Sequence, residues 1–290
     1  MIERPVIDVA LVRRLVDAQF PEYRGLPVRP VELDGWDNRT FRLGDDLSVR
    51  LPSARGYLEQ VAKEHEWLPR LAPLLPLPIP APVAQGDPDA GYPFPWSVYR
   101  WLPGTPVALA AEVDEVALAT DLGRFLTALR QVDATGGPPP GSHNFFRGDP
   151  PGVYRDEAIA AMAAGAPDID PRVARRIWDA ADGSRWDAPA VWFHGDAAPG
   201  NLLVRDGRLS AVIDFGTSGV GDPACDLVPA WTMFDDSARR AFRDAVALDD
   251  ATWARARGWA LWKALITVRD APDDAPARRT LVRLAADPGR

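Results

Sequence analysis

Residues with the chemistry of a reaction centre cluster in one stretch of the chain. Asp196 follows the apolar run 190–193, Asn201 comes five positions later, and Asp214 directly follows the apolar run 209–213. A carboxylate can act as a general base, and carboxylate and amide oxygens are the ligands that Mg²⁺ prefers. One base with two oxygen ligands for a divalent cation is the set that phosphoryl transfer from a nucleotide requires.

Short strands are needed to hold these side chains. Three runs have the apolar character of strands within an otherwise helical half: 190–193, 202–204 and 209–213. The first strand would carry Asp196 at its tip, and the turn after it would return Asn201 to the same place. The second strand of the following hairpin would then deliver Asp214.

The predicted elements change in type near residue 103. Before it we predict two helices and several strands, the first three as an antiparallel meander: helix 7–20, strands 28–33, 39–43 and 47–51, helix 57–72 and strand 94–102. After Pro103, five stretches have helical periodicity: 110–133, 155–164, 170–182, 236–247 and 250–270. We therefore predict an α+β chain of two lobes with a cleft between them, a strand-rich N-lobe over 1–102 and a helical C-lobe over 103–290.

The motif spacing also matches a known pattern. Residues 194–201 read H-x-D-x-x-x-x-N and residues 214–216 read D-F-G. This set resembles the protein-kinase-like fold, and the His-Gly-Asp form with Gly-Asp-Pro at 221–223 is similar to the aminoglycoside phosphotransferase family over nearly the whole chain. The resemblance implies a bilobal protein-kinase-like fold and an ATP-dependent kinase of a small molecule.

The same resemblance implies a role for each residue of the motif. Asp196 would accept the proton of the substrate hydroxyl, and His194 would brace the loop. Asn201 and Asp214 would hold Mg²⁺, with ATP or GTP as the phosphate donor. Gly195 stands where protein kinases have an arginine, which points away from regulation by activation-loop phosphorylation.

The resemblance also implies a phosphate-gripping residue on the third strand. Arg50 occupies that place, and Glu64 on the helix 57–72 is the candidate that orients it. Glu59 and Glu66 lie nearby, and a solvated helix charge is the alternative for each of the three glutamates. The family has a basic residue there that is usually lysine, but Lys63 falls on the following helix and Lys263 lies far downstream. An arginine can bind phosphate as a fork, although it is not equivalent to a lysine.

Two further parts of a nucleotide site are the loop that covers the phosphates and the hinge that binds adenine. No G-x-G-x-x-G loop is present, and the segment 35–40 takes its place. Asn38 and nearby backbone amides would cover the phosphates, with a plain β-turn as the alternative. Arg100, Trp101 and Leu102 resemble the hinge whose backbone bonds adenine, and core packing is the alternative for Trp101.

Downstream residues are expected to support the loop or to contact the acceptor. We expect Asp226 to support the catalytic loop and Asp222 to cap the helix that follows it. Acceptor contacts are expected from C-lobe helices, and each candidate is also compatible with a structural role: Glu157, Asp226, Trp231, Trp259, Trp262 and Asp270.

Composition limits the class of protein. The 290 residues are 47% hydrophobic and have 33 Lys+Arg against 41 Asp+Glu, a formal net charge of −8. This excess of acid argues against nucleic-acid or membrane binding, and it favours a cationic small-molecule acceptor. One cysteine excludes an internal disulfide, and no run reaches the ~20 apolar residues of a spanning helix. We expect a cytoplasmic protein with no obligate protein partner.

Other enzyme classes lack their motifs in this chain. Val220 stands where the last glycine of G-x-S-x-G belongs, no glycine precedes either lysine, and no G-x-G-x-x-G opens a helix. The alternative within the fold is a nucleotide-binding pseudokinase, motivated by Arg50 and the poor phosphate loop. The acceptor stays open among aminoglycosides, related antibiotics, and metabolites such as choline or a sugar.

Overall fold

A computed structural model describes residues 5–89 and 91–287, and it shows the two-lobed α+β architecture expected from the sequence. The strands of the N-lobe form one antiparallel sheet in the order β1-β2-β3-β5-β4. They are β1 (Val28–Pro30), β2 (Asn38–Leu43), β3 (Leu47–Pro52), β4 (Pro82–Gly86) and β5 (Trp96–Arg100). Two helices accompany the sheet: α1 (Val9–Gln19) and α2 (Leu58–Leu71).

Side-chain alternation explains how the N-lobe packs. On β2 and β3, Phe41, Leu43, Val49 and Leu51 point into a core that α1 covers. The helix α1 begins at residue 9 because the Asp8 side chain accepts a hydrogen bond from the Leu11 amide at 2.8 Å. This core holds the sheet that presents Arg50 to the cleft.

Helices make up most of the C-lobe: α3 (Glu115–Gln131), α4 (Arg155–Ala164), α5 (Pro171–Asp182), α6 (Pro229–Thr232), α7 (Asp236–Val246), α8 (Asp250–Asp270) and α9 (Ala275–Ala286). The central α8 packs against α4, α5 and α9, so it is buried on several faces. Even so, no helix within the described ranges is long and apolar enough to cross a membrane.

Short strands within the C-lobe position the reaction-centre motif: β6 (Thr105–Pro106), β7 (Val191–Phe193), β8 (Leu202–Arg205), β9 (Arg208–Val212) and β10 (Gly219–Gly221). The hairpin β8–β9 pairs with β6, and β7 pairs with β10 in antiparallel register. The loop after β7 and the segment after β9 therefore meet at the cleft, as the sequence predicted.

The main differences from the sequence prediction lie at edges and ends. We expected no strand between the helix 57–72 and the strand 94–102, but Pro82 begins β4 at the edge of the sheet. An edge strand tolerates proline because its outer amides need no partner. The helix expected over 110–133 begins only at Glu115, because the Asp114 side chain caps it through the Ala117 amide at 2.9 Å. The helix α9 was not expected at all.

Candidate active site

A cavity of about 770 Å³ lies between the lobes. Its walls come from the sheet, from the segment that joins the lobes, and from the loops after β7 and β9. Most residues singled out from the sequence line it: Asn38, Arg50, Arg100, Trp101, Leu102, Asp196, Asn201 and Asp214. The remaining two, Glu64 and His194, are buried behind the lining, where each contacts one of these residues.

The amide of Asn201 holds Asp196 in place. Its Nδ2 donates to the backbone oxygen of Asp196 at 2.9 Å and to Oδ2 of the same residue at 3.0 Å. The Ile213 amide donates to the backbone oxygen of Asn201 at 2.9 Å, which ties this loop to the residue before Asp214. Because Nδ2 is engaged by Asp196, Oδ1 of Asn201 is the atom that can serve as a metal ligand.

Gly195 is required by the conformation of this loop. Its φ is +85°, and a Cβ atom there would lie 2.7 Å from the backbone oxygen of Thr217. Any larger residue would push the loop away from the segment after Asp214. The glycine that replaces the kinase arginine is therefore a packing requirement in this chain.

His194 is fully buried and joins the two loops. Its Nε2 lies 3.0 Å from the backbone oxygen of Ile213, which only accepts, and its Nδ1 accepts from the Asp196 amide at 3.2 Å. These bonds assign the proton to Nε2. Burial lowers the pKa of His194, although Asp226 and Asp214 oppose this, and the ring therefore braces the loop as a neutral imidazole.

Asp226 anchors the same loop from below. Its Oδ2 accepts from the His194 amide at 2.9 Å and its Oδ1 from the Gly195 amide at 2.7 Å. Burial raises the pKa of Asp226, and the hydrogen bonds from the amides of Gly195 and His194 counteract this rise. The predicted support of the catalytic loop is confirmed by these contacts.

Arg50 joins the sheet, the helix α2 and Asp214. Its Nη1 lies 3.3 Å from both carboxylate oxygens of Glu64, and its Nη2 donates to Oδ1 of Asp214 at 2.7 Å. The Tyr99 hydroxyl donates a short hydrogen bond to Glu64. Burial alone would lower the pKa of Arg50, but Glu64 and Asp214 raise it overall, so the guanidinium stays charged.

The pKa values of the two carboxylates of the site are shifted in opposite directions. Burial by itself would raise the pKa of Asp214, but the charge and hydrogen bond of Arg50 bring it below its usual range. The pKa of Asp196 is raised by desolvation in the cleft and by the nearby charge of Asp214. Asp214 is therefore suited to bind a cation, and Asp196 is the better proton acceptor near neutral pH.

The donor set fits a magnesium ion that arrives with a nucleotide. Across residues 5–89 and 91–287, no group of three or more His, Cys, Asp or Glu side chains could hold a metal by itself. Mg²⁺ needs no such group, because proteins bind it through one or two oxygen side chains together with substrate phosphates. The carboxylate of Asp214 and Oδ1 of Asn201 provide those oxygens on one wall of the cavity.

Two side chains of α2 that sequence reasoning did not assign also reach the site. The buried Lys63 donates to the backbone oxygens of Gly216 at 2.6 Å and Ser218 at 2.8 Å. Gln60 donates to Oδ2 of Asp37 at 3.2 Å. Positions three and four apart share a helix face, so the predicted position of Glu64 could have indicated that Gln60 faces the same way.

The hinge residues line the cavity. The Trp101 ring stacks under the guanidinium of Arg42, whose Cζ lies 4.0 Å from the ring centroid. The Trp101 amide donates to the backbone oxygen of Asp46 at 2.8 Å, which fixes the chain as it leaves β5. Because Trp101 is half-buried, lines the cavity and belongs to neither hydrophobic core, core packing is wrong for it. Asn38 lies at the start of β2 and not in a plain turn.

Comparison with known proteins identifies the family. The family model of APH, the phosphotransferase enzyme family, matches residues 28–259. The chain belongs to this phosphotransferase family. No curated protein sequence matched the chain.

Solved phosphotransferase structures share the fold. The GDP and kanamycin complex of APH(2")-IIia matches with a TM-score of 0.70 and 19% identity, covering 94% of this chain and 96% of that one. The macrolide 2'-phosphotransferase MphH from Brachybacterium faecium matches with a TM-score of 0.61 and 26% identity, covering 96% and 99%. The streptomycin-ATP-APH(2")-IIa ternary complex matches with 0.59 and 16%, covering 98% of both chains.

In this phosphotransferase, most of the predicted acceptor contacts are engaged within the protein. Four of the candidates form three hydrogen-bonded pairs at 2.7–2.8 Å: Trp262 with Glu157, Trp231 with Asp287, and Asp270 with Arg269. Both carboxylate oxygens of Asp226 bind the catalytic loop. Trp259 is buried beside Tyr154, with ring centroids 5.9 Å apart.

Asp222 has the capping role that the sequence suggested and a second one. Its Oδ1 accepts from the Ala224 amide at 3.1 Å. Its Oδ2 also accepts from Nε of Arg255 at 2.6 Å, and both side chains are almost fully buried. This ion pair joins the segment after β10 to α8.

Proposed function

We propose that this protein is a Mg²⁺- and nucleoside-triphosphate-dependent O-phosphotransferase that acts on a hydroxyl of a small molecule. The observation that carries the proposal is the convergence of Asp196, Asn201 and Asp214 in the interlobe cavity, with Arg50 in contact with Asp214. Membership of the phosphotransferase enzyme family supports the reaction class. Catalysis of this kind depends mainly on in-line positioning and charge neutralisation.

The acceptor side of the mechanism belongs to the loop after β7. Asp196 binds the acceptor hydroxyl and takes its proton, and its raised pKa suits that role. Asn201 fixes the orientation of this carboxylate through its 3.0 Å hydrogen bond. His194 and Asp226 fix the loop that carries Asp196. The acceptor hydroxyl that Asp196 binds would therefore approach the phosphorus from one direction.

The donor side is the nucleotide cavity. Arg100, Trp101 and Leu102 hold the base, and Asn38 covers the phosphates. Arg50, oriented by Glu64, binds the phosphates that are not transferred. Asn201 and Asp214 would hold Mg²⁺, which would neutralise negative charge on the phosphates. Structures of related fold were solved with GDP, ADP and ATP, which supports a purine nucleotide as donor and leaves both ATP and GTP as candidates.

We also propose that the boundary between the lobes lies between residues 102 and 103. The cytoplasm is the proposed location of the enzyme.

Relatives of similar fold are aminoglycoside and macrolide phosphotransferases, which makes antibiotics of these classes the first acceptors to try, ahead of choline and sugars. A catalytically weak nucleotide-binding protein is the second candidate. The observation in its favour is the 2.7 Å ion pair between Arg50 and Asp214, which must loosen before Asp214 can bind a metal.

The test is release of ADP or GDP by the purified protein with kanamycin, gentamicin, a macrolide, choline and glucose as acceptors. We expect Asp196→Asn to lower acceptor-dependent release by about 10²- to 10⁴-fold, because it removes the base. Asp244→Asn, which changes an exposed carboxylate on α7, is the matched control. Wild-type rates in Asp196→Asn would refute the proposal, and Mg²⁺-dependent nucleotide binding without turnover would favour the binding protein.

A further inference from the structure

The proposed metal ligand Asp214 has an unusual backbone conformation. Its φ is +64° and its ψ is +71°, which lie in the left-handed region. Residues with a Cβ atom are strained there, and an aspartate adopts this conformation only occasionally. A strained conformation persists only where the surrounding structure over-determines it. The contacts that hold the chain on each side of Asp214 therefore decide where its carboxylate lies.

The catalytic loop holds the chain on the N-terminal side of Asp214. The backbone oxygen of Ile213 accepts from Nε2 of His194 at 3.0 Å, and the Ile213 amide donates to the backbone oxygen of Asn201 at 2.9 Å. Both contacts end at Ile213, so the chain after Asp214 must be held by other groups.

The helix α2 holds the chain on the C-terminal side. Asp214 precedes a short 3-10 turn, Phe215–Thr217, and Nζ of Lys63 donates to the backbone oxygens of Gly216 at 2.6 Å and Ser218 at 2.8 Å. Lys63 is 8% exposed, and both acceptor residues are buried. Because one ammonium group binds two carbonyls of the same segment, it fixes the turn relative to α2.

The helix α2 also packs closely against this turn. A Cβ atom at Gly216 would lie 2.8 Å from Oε1 of Gln60, a residue that is 2% exposed. Lys63 comes three positions after Gln60 and therefore lies on the same face of the helix. Among the described residues, Lys63 is not part of the cavity lining, so any effect it has on a bound nucleotide must pass through the turn.

Two neighbouring residues of α2 thus reach Asp214 by different routes. Glu64 pairs with Arg50, and Nη2 of Arg50 donates to the carboxylate of Asp214 at 2.7 Å. Lys63 reaches the backbone after Asp214 through its two hydrogen bonds. The first route holds the side chain of Asp214, and the second holds the chain from which that side chain projects.

We propose that Lys63 is a positioning residue for phosphoryl transfer, because its two hydrogen bonds keep Asp214 in the left-handed conformation in which its carboxylate lines the cavity. The inference rests on the proposed function, since it takes Asp214 as the metal ligand. It goes beyond that function by giving the N-lobe helix α2 a part in forming the metal site. The hydrogen bonds of Lys63 carry this role, and its charge does not.

The charge of Lys63 and its hydrogen bonds act on the metal site in opposite directions. The ammonium binds Gly216, two residues after Asp214, so removal of its positive charge would strengthen the binding of a cation there. Removal of its hydrogen bonds would release the turn and let Asp214 leave its strained conformation, which would weaken cation binding. The sign of the change in a Lys63 variant therefore shows which effect dominates.

The test measures the factor by which Mg²⁺ strengthens nucleotide binding. Calorimetry at pH 7 with a non-hydrolysable ATP or GTP analogue, in Mg²⁺ and in EDTA, gives this factor for each protein. We expect Lys63→Met to lower the factor by about tenfold or more, as is typical when a contact that orients a metal ligand is lost. Binding without Mg²⁺ should stay nearly unchanged. Arg70→Met, which removes an exposed cation from the same helix, is the matched control and should keep the wild-type factor.

A second variant, Lys63→Gln, separates the hydrogen bonds from the charge. Both variants remove the charge, but a glutamine amide keeps N–H donors that can bind one of the two carbonyls. We therefore expect Lys63→Gln to retain more of the Mg²⁺ factor than Lys63→Met. If Lys63→Met does not fold, Lys63→Gln is compared with the wild type, and a loss of about fivefold is expected from one missing hydrogen bond.

A second readout needs neither nucleotide nor metal. The Ser218 amide donates to the backbone oxygen of Phe215 at 3.0 Å and closes the turn. Its hydrogen exchange, followed by mass spectrometry, should be about tenfold faster in Lys63→Met, because the turn opens more often. Exchange of the α8 amides should stay unchanged, which would show that the effect is local.

Three results would overturn the inference and leave the phosphotransferase proposal intact. An unchanged or larger Mg²⁺ factor in Lys63→Met would mean that the charge of Lys63 outweighs its hydrogen bonds. Equal losses of affinity with and without Mg²⁺ would mean that Lys63 supports the whole nucleotide site, and unchanged exchange at Ser218 would mean that the turn holds itself. By contrast, a wild type whose nucleotide binding does not respond to Mg²⁺ would count against Asp214 as the metal ligand and against the proposed function.

Discussion

Two carboxylates on one cavity wall differ in behaviour because of what each one touches. Asp214 is bound by Arg50 at 2.7 Å, so its charged form is stabilised. Asp196 is desolvated by burial and accepts from the neutral amide of Asn201 at 3.0 Å, and the charge of Asp214 nearby further disfavours its ionisation. Separation of pKa values in this way is typical of a base and a metal ligand that share a site. The lowered pKa of Asp214 depends on Arg50.

A first prediction therefore concerns Arg50. We expect Arg50→Met to weaken nucleotide binding at least tenfold, because the phosphates lose a fixed positive charge. We also expect it to lower the free energy of unfolding by about 3–5 kcal/mol, because Glu64 is left as a buried charge without its partner. Isothermal calorimetry and urea unfolding measure the two effects.

The double variant Arg50→Met with Glu64→Gln separates binding from stability. It removes the orphaned charge, so most of the lost stability should return while nucleotide binding stays weak. If stability and binding recover together, Arg50 acts only through the fold, and its assignment to the phosphates is wrong.

At the scale of elements, local patterns were predictable and contacts between distant elements were not. The two motifs could be found because their residues lie within 23 positions and follow apolar strands. Lys63 could not be assigned to the site, because its partners Gly216 and Ser218 are more than 150 positions away. Arg147 lies in an irregular segment with no periodicity, so only the packing against Gly195 shows its place. The edge strand β4 was missed because proline masks the strand pattern.

Lys63 provides a prediction for the helix α2. Burial lowers the pKa of Lys63 to about 8, although Glu64 and Asp214 oppose this shift. An unfolded lysine titrates near 10.4, so between about pH 8 and 10.4 the unfolded chain binds more protons and folding becomes more favourable as pH rises. We expect the wild type to gain about 2 kcal/mol of unfolding free energy relative to Lys63→Met between pH 7.5 and 9.5. Urea unfolding of both proteins at these two values measures the difference.

Lys263→Met is the matched control, since it removes the only other lysine and that residue is exposed. Its stability relative to the wild type should stay nearly constant over the same range. A constant difference for Lys63→Met as well would show that Lys63 keeps an ordinary pKa in the folded protein, and that its ammonium is better solvated than its burial implies.

For the whole molecule, the two lobes are joined by more than the hinge. The C-lobe core includes Leu68 and Leu71 of α2, Ile79 of the connection and Tyr99 of β5, all from the sequence before residue 103. The N-lobe keeps a separate core of its own around α1 and the sheet. The lobe boundary between residues 102 and 103 therefore does not separate the two hydrophobic cores, because residues before it pack into the C-lobe core. In its packing, α2 belongs to both lobes.

This shared packing predicts that the lobes unfold together. We expect one calorimetric transition whose calorimetric and van't Hoff enthalpies agree, even though the chain is longer than most two-state domains. Leu68→Ala should lower the unfolding free energy by about 2–5 kcal/mol, because Leu68 is 1% exposed, and the single transition should move without splitting. Val282→Ala, at a position 52% exposed on α9, should have little effect. Two resolved transitions in the wild type, with only the N-lobe one moved by Leu68→Ala, would show that α2 belongs to the N-lobe alone and that the cleft lies between independent domains.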